Sequence, residues 1–119
     1  MENKEFSKKL EVRTKAFAIR IIKLSANLPI TVEGKIVRNQ MTKSGTSIGA
    51  NYHEANRAKS RTDFKNKIKI CESEASETGY WLEICIDMKW SEAAELESAL
   101  NESNELLAIF TSIGKNLNL

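Results

Sequence analysis

Apolar residues recur three and four positions apart along nearly the whole chain, and only one proline interrupts them. That rhythm commits the chain to helices packed side by side, because only a helix brings residues at this spacing onto one face. Leu10, Thr14, Phe17, Ile21, Leu24 and Leu28 form the first seam, on a helix predicted over about residues 4–28. Pro29 ends it by pushing its predecessor out of the helical region. Thr31 reads as the N-cap of a second helix, with Glu33 in its first turn, fading near Ala58. Ser60 and Asp63 have the spacing of a capping box opening a third helix over about 61–89, with the row Phe64, Ile68, Cys71, Ala75, Thr78, Leu82 and Cys85. Ser91 reads as the cap of a fourth, whose seam is Ala93, Leu96, Leu100, Ser103, Leu107, Phe110 and Leu117. Five glycines leave little material for long loops, so the prediction is an all-α, up-and-down antiparallel four-helix bundle, one domain of 119 residues.

The second helix also carries a polar row. Gln40, Ser44, Ser47, Asn51 and Glu54 stack at spacings of four and three beside the apolar row of Met41, Ile48, Tyr52 and Ala55. Ser44, Gly45, Thr46, Ser47 and Gly49 are poor helix formers, which close packing or side-chain hydrogen bonds must offset. Together with Glu74 and Glu77 of the third helix, the row reads first as a hydrogen-bonded network that fixes register within or between subunits. A binding surface is the other reading.

The run SIGANYHEANRAKSRTDF, followed by KICESEASETGYWLEI, resembles the signature of four-helix-bundle proteins encoded by intervening sequences of bacterial 23S ribosomal RNA genes. The accessory proteins of diversity-generating retroelements belong to the same wider group. The resemblance covers Gln40 to about Leu82, with Tyr52 and His53 where Ile and Ala are usual and Ala55 in place of a Gly. It implies a homo-oligomer, a pentamer, associated with structured RNA or, in the retroelement branch, with a reverse transcriptase. It also implies that Gln40, Ser47, Asn51, Glu54, Arg57, Glu74 and Glu77 are mainly architectural.

Charge is distributed unevenly along the chain. Residues 1–70 hold 16 Lys and Arg against 6 Asp and Glu, whereas residues 71–119 hold 2 against 10. Such asymmetry marks either a polyanion-binding face or two faces that meet in self-association. Arg57, Lys59, Arg61, Lys65, Lys67 and Lys69 form the densest cluster, offset only by Asp63, and are the expected contacts to RNA or DNA phosphates. Arg13 and Arg20, with Lys9 and Lys23, add a basic stripe on the first helix. No zinc module, short recognition helix or stacking sheet is present, so sequence-specific readout is not expected.

Catalytic chemistry finds little support. The one histidine, His53, adjoins Glu54, but adjacent helical residues point in different directions. There is no phosphate-binding GxxxxGK[ST]. A carboxylate-bridged metal site would draw on Glu54, Glu74 and Glu77, yet the Glu-x-x-His element of such bundles is missing. Cys71 and Cys85 lie about 21 Å apart on one helix and read as buried small hydrophobes. Neither an enzyme nor a metal or other cofactor is expected. No apolar run approaches the roughly 20 residues that span a bilayer, so no membrane association and a cytoplasmic location are expected.

The third helix carries a second row: Ile70, Glu74, Glu77, Trp81, Ile84 and Met88. With YWLEICIDMKW apolar over most of its circumference, Trp81, Ile84 and Met88 are expected to meet another subunit. The sequence therefore predicts a non-catalytic, self-assembling scaffold that binds nucleic acid non-specifically. The alternative is a protein-interaction module without direct nucleic-acid binding.

Overall fold

The computed structural model describes residues 3–117 and contains four helices: α1 (Lys4–Ala26), α2 (Val32–Ala55), α3 (Arg61–Met88) and α4 (Ala93–Asn116). They run alternately up and down. α2 lies between α1 and α3, α3 packs on α4, and α4 closes the ring against α1 along a much shorter seam. The rod measures 44 × 24 × 22 Å. Its length is that of the 28-residue α3 at about 1.5 Å per residue.

Local chemistry fixes the ends. The side-chain oxygens of Asn3, Thr31 and Ser60 accept the backbone N–H groups of Phe6, Gly34 and Asp63, each at 3.0 Å. α1 stops two residues earlier than expected, because the Asn27 N–H turns back onto the Leu24 and Ser25 carbonyls. Ser91 does not cap α4. The N-cap is Glu92, without a side-chain cap bond, because residues 89–91 are consumed in reversing the chain. Lys89 adopts the left-handed conformation, φ 56°, and the Trp90 N–H returns to the Cys85 carbonyl at 3.1 Å.

All four helices contribute to one core, with Phe17, Ile21, Met41, Ile48, Tyr52, Phe64, Leu82, Leu106 and Phe110 at its centre. Tyr52 and Phe110 meet edge to face, their ring centroids 5.4 Å apart. The α4 seam differs from the expected one. The buried row is Leu96, Ala99, Ser103, Leu106 and Phe110, while Leu100 and Leu107 are half-buried and Ala93 is exposed. Both rows obey the same spacing; packing on α3 selects between them.

Four hydroxyls enter this core because helix backbone or another hydroxyl satisfies them. Thr14 donates to the Leu10 carbonyl at 2.9 Å, and Ser103 to the Ala75 carbonyl of the neighbouring helix at 2.9 Å. Ser44 donates to the Met41 carbonyl. Thr78 Oγ1 lies 2.9 Å from Ser44 Oγ and 2.8 Å from the Glu74 carbonyl. The Ser25 hydroxyl is buried and has no partner among the described residues.

Within the subunit, the α2 polar row is not the continuous buried network expected. Only Ser44 is buried; Gln40 and Glu54 are exposed. Ser47 and Asn51 donate back into their own helix, to the Lys43 and Ser47 carbonyls. A side chain that can bond four residues back has no need of a neighbour.

Candidate nucleic-acid interface

Because the helices alternate, one end of the rod gathers the start of α1, the end of α2, the start of α3 and the end of α4. Lys4, Lys8, Lys9, Arg57, Lys59, Arg61, Lys65, Lys67, Lys69 and Lys115 therefore converge there. The imbalance between chain halves becomes in part an imbalance along the axis, although Lys23, Lys35, Arg38 and Lys89 lie towards the other end. Lys59, Lys65, Lys67 and Lys69 form no ion pair among the described residues. Two of the predicted contacts are partly engaged: Arg57 Nη1 donates to the His53 carbonyl at 2.7 Å, and Arg61 Nη2 to the Leu117 carbonyl at 3.0 Å.

Beside this tip, α1 and α2 enclose an open groove of about 1080 Å³. Lys4, Lys8, Lys15 and Arg57 supply cations to its lining, and among the described residues Glu11 is the one carboxylate. Glu11 accepts from Asn56 Nδ2 at 2.9 Å, and its Oε1 lies 3.2 Å from His53 Nδ1 and 3.6 Å from Arg57 Nη1. Partial burial pushes the Glu11 pKa up, but the hydrogen bonds from Asn56 and His53 and the Arg57 charge outweigh it, holding the carboxyl below its usual range.

Arg13 and Arg20 lie elsewhere, along the seam between α1 and α4. The Arg13 guanidinium grips Glu102 through Nε and Nη2, at 2.7 and 2.6 Å, and reaches Glu105 at 3.0 Å. The hydrogen bond to Glu102 leads in raising its pKa. The basic stripe of α1 thus meets part of the acidic second half inside one subunit. No sequence signal links positions 89 residues apart.

Trp81, Ile84 and Met88 sit toward the opposite end. Met88 is 54% exposed, whereas Trp81 and Ile84 are half-buried. Trp81 packs against the core, donates Nε1–H to Glu77 at 3.1 Å and stacks edge-on with Tyr80. Sequence reasoning missed the companions of this row. The Thr78–Ser44 bond and the Cys71 thiol on the Ile48 carbonyl set a register that brings Ile36 level with Ile84 and Val32 level with Met88. Exposed Ile30, Val32 and Ile36 extend the apolar surface as a collar around this end, and Ile19 and Ile22 continue it towards the middle of the rod, where Ile21 packs on Gly45. The signal was available in α1: Ile19 and Ile22 lie opposite its core seam, as does Val12 nearer the cationic end.

The same register separates Glu54 from Glu74 by about two helical turns, so Glu54, Glu74 and Glu77 do not converge. Among the described residues no cluster of His, Cys, Asp and Glu is arranged to hold a metal ion. Glu74, half-buried, has its pKa raised by burial and then by Glu77, against the pull of Lys43. Burial lifts the Cys71 thiol to about 12 and the Cys85 thiol to about 11, far from the range of reactive cysteines.

The fold and its polarity define a small four-helix bundle with a cationic end and an apolar end. Residues 8–112 match the family of 23S rRNA-intervening sequence proteins, and the chain belongs to that family. It is similar to a protein of unknown function of the S23 ribosomal protein family from Bacteroides thetaiotaomicron, whose crystal structure superposes with a TM-score of 0.81. The two are 40% identical over 88% of this chain and 97% of that one. No curated protein matches. Among the described residues no helix is long and apolar enough to cross a membrane.

Proposed function

We propose that this is a non-catalytic, self-assembling protein that binds structured RNA through its cationic end and joins its own copies through the apolar collar. The excess of cations at one end carries the reading: Lys59, Lys65, Lys67 and Lys69 there form no ion pair among the described residues, while exposed Ile30, Val32, Ile36 and Met88 gather at the other end. Lysines without bulky apolar neighbours suit phosphate contact, which positions without reading sequence. A collar of this kind favours association, and unlike faces joined in succession close as a ring where the rotation between copies closes. The pentamer implied by the family resemblance is the expected stoichiometry.

Light scattering of the purified protein should report an oligomer larger than a dimer, and the pair Ile36→Asp and Met88→Asp should shift it towards monomer. A wild-type monomer at micromolar concentration would remove the assembly half. Affinity for a structured RNA should fall with salt by about 0.7–0.9 log units per tenfold for each phosphate contacted. Reversing Lys59, Lys65 and Lys69 to Glu should flatten that slope. No binding at low salt would remove the RNA half.

A second reading is favoured by the collar alone: a module that docks another protein, such as a reverse transcriptase, without touching nucleic acid. The ratio of absorbance at 260 and 280 nm after nuclease-free purification separates the two.

A further inference from the structure

We propose that the groove between the first half of α1 and the second half of α2 holds an unpaired RNA segment, distinct from the helical RNA met by the tip. This deepens the RNA-binding reading and rests on it. The groove is concave, about 1080 Å³, and adjoins the cluster that starts at Arg57. Its α1 wall presents Lys4, Lys8 and Lys15, which helical spacing sets on one face. Its α2 wall presents small residues, Gly49 and Ala50, before His53 and Arg57.

Gly49 explains why a groove forms here. A Cβ at that position would come within 3.2 Å of the Thr14 backbone, so the two helices approach closely, with little side chain between them to fill the surface above.

A duplex cannot enter such a groove. A-form helices are met through their phosphates and a wide, shallow minor groove, whereas the bases of unpaired segments can be splayed out into a cleft. The lining sets Lys4, Lys8 and Lys15 among uncharged Val12, Ala18 and Ala50, with Glu11 already held by Asn56, His53 and Arg57, which suits a strand whose phosphates track the lysine rim and whose bases lie on the floor. Lys4 to Lys15 spans about 16 Å, or about five nucleotides at roughly 3.4 Å each for a stacked strand. Among the described residues no exposed aromatic ring other than His53 lines the groove, so the segment is held without base preference.

The test compares a fluorescein-labelled ten-nucleotide oligouridine with a blunt RNA duplex, at low salt, on the intact protein. Lys15→Glu, which lies outside the cationic end, should weaken oligouridine at least about fivefold and leave the duplex within about twofold; Lys15→Gln should weaken it in the same direction. Reversal of Lys65 and Lys69 should weaken the duplex more than the oligouridine. Duplex binding with no oligouridine binding, or equal losses from groove and tip variants, would overturn the groove assignment and leave the tip reading standing. Failure of both ligands would sink the RNA reading itself. Displacement of oligouridine by polyglutamate at equal charge concentration would show a general polyanion site and overturn the proposal.

Discussion

Gly45→Ala is the sharpest probe of how α1 and α2 pack. In an open helix interior this change stabilises by about 0.8–1.0 kcal/mol, because Gly loses more backbone freedom on folding. At Gly45 the new methyl would stand 2.7 Å from Ile21 Cγ2 and 3.0 Å from both Cβ and Cγ1. Ordinary carbon contacts lie at about 3.5–4.0 Å, so the helices must part by nearly 1 Å or Ile21 must leave its rotamer. Ile21 is β-branched and fully buried, which closes the second route. Overpacking of this kind costs about 1–3 kcal/mol, leaving a net loss of up to about 2 kcal/mol. For 119 residues at about 2.1 cal/mol/K each, 1 kcal/mol corresponds to about 4 °C in Tm. Gly114→Ala is the control, since its Cβ would meet only Ile68 Cγ2 at 4.0 Å, and it should raise Tm by up to about 4 °C. The assay is thermal unfolding by far-ultraviolet circular dichroism at fixed protein concentration. Gly45→Ala as stable as Gly114→Ala would refute the argument for close packing.

Ser103→Ala should cost about 1 kcal/mol by removing the hydroxyl bonded to the Ala75 carbonyl and leaving that carbonyl one partner short; urea unfolding measures it. Ser25→Ala should be neutral or stabilising by up to about 1 kcal/mol, since the buried hydroxyl it removes has no partner. Glu11 has a folded pKa below its ordinary 4.5, so its contribution is present above that value and lost as pH falls through the lowered one. Acid unfolding of Glu11→Gln should therefore converge on wild type at the acid end and diverge from it above about pH 4.5. Glu74 has the opposite shift, so its charged form weighs against folding, and Glu74→Gln should stabilise at neutral pH with an effect that vanishes in acid. Both thiols should resist a disulfide reagent at pH 8 in the native state and react fully in denaturant.

Helix number, order and most ends were legible because they rest on local chemistry. Thr31 and Ser60 cap where their spacing said they would; Ser91 failed because the turn before α4 needs three residues, and a hydroxyl followed by Glu92 looks the same whether the chain is turning or starting a helix. The α4 seam was ambiguous by one position, since Leu100 and Leu107 satisfy the spacing as well as Ala99 and Leu106 do. Long-range pairing was not legible. The lysines near residue 60 were visible as a cluster, but their company with Lys4, Lys8 and Lys115 appears only once the helices alternate. Arg13 looked like part of a free basic stripe until α4 brought Glu102 beside it. The α2 polar row looked like a network because spacing shows which side chains share a face, not whether each has already bonded its own backbone.

The short seam between α1 and α4 has a mechanical consequence. A bundle closed tightly on three sides and lightly on the fourth can splay there at small cost, with the Arg13 clasp on Glu102 and Glu105 as its latch. High salt or loss of that clasp should loosen the barrel along this edge first, and amide exchange in the outer turns of α1 and α4 should quicken before the α2–α3 pair responds.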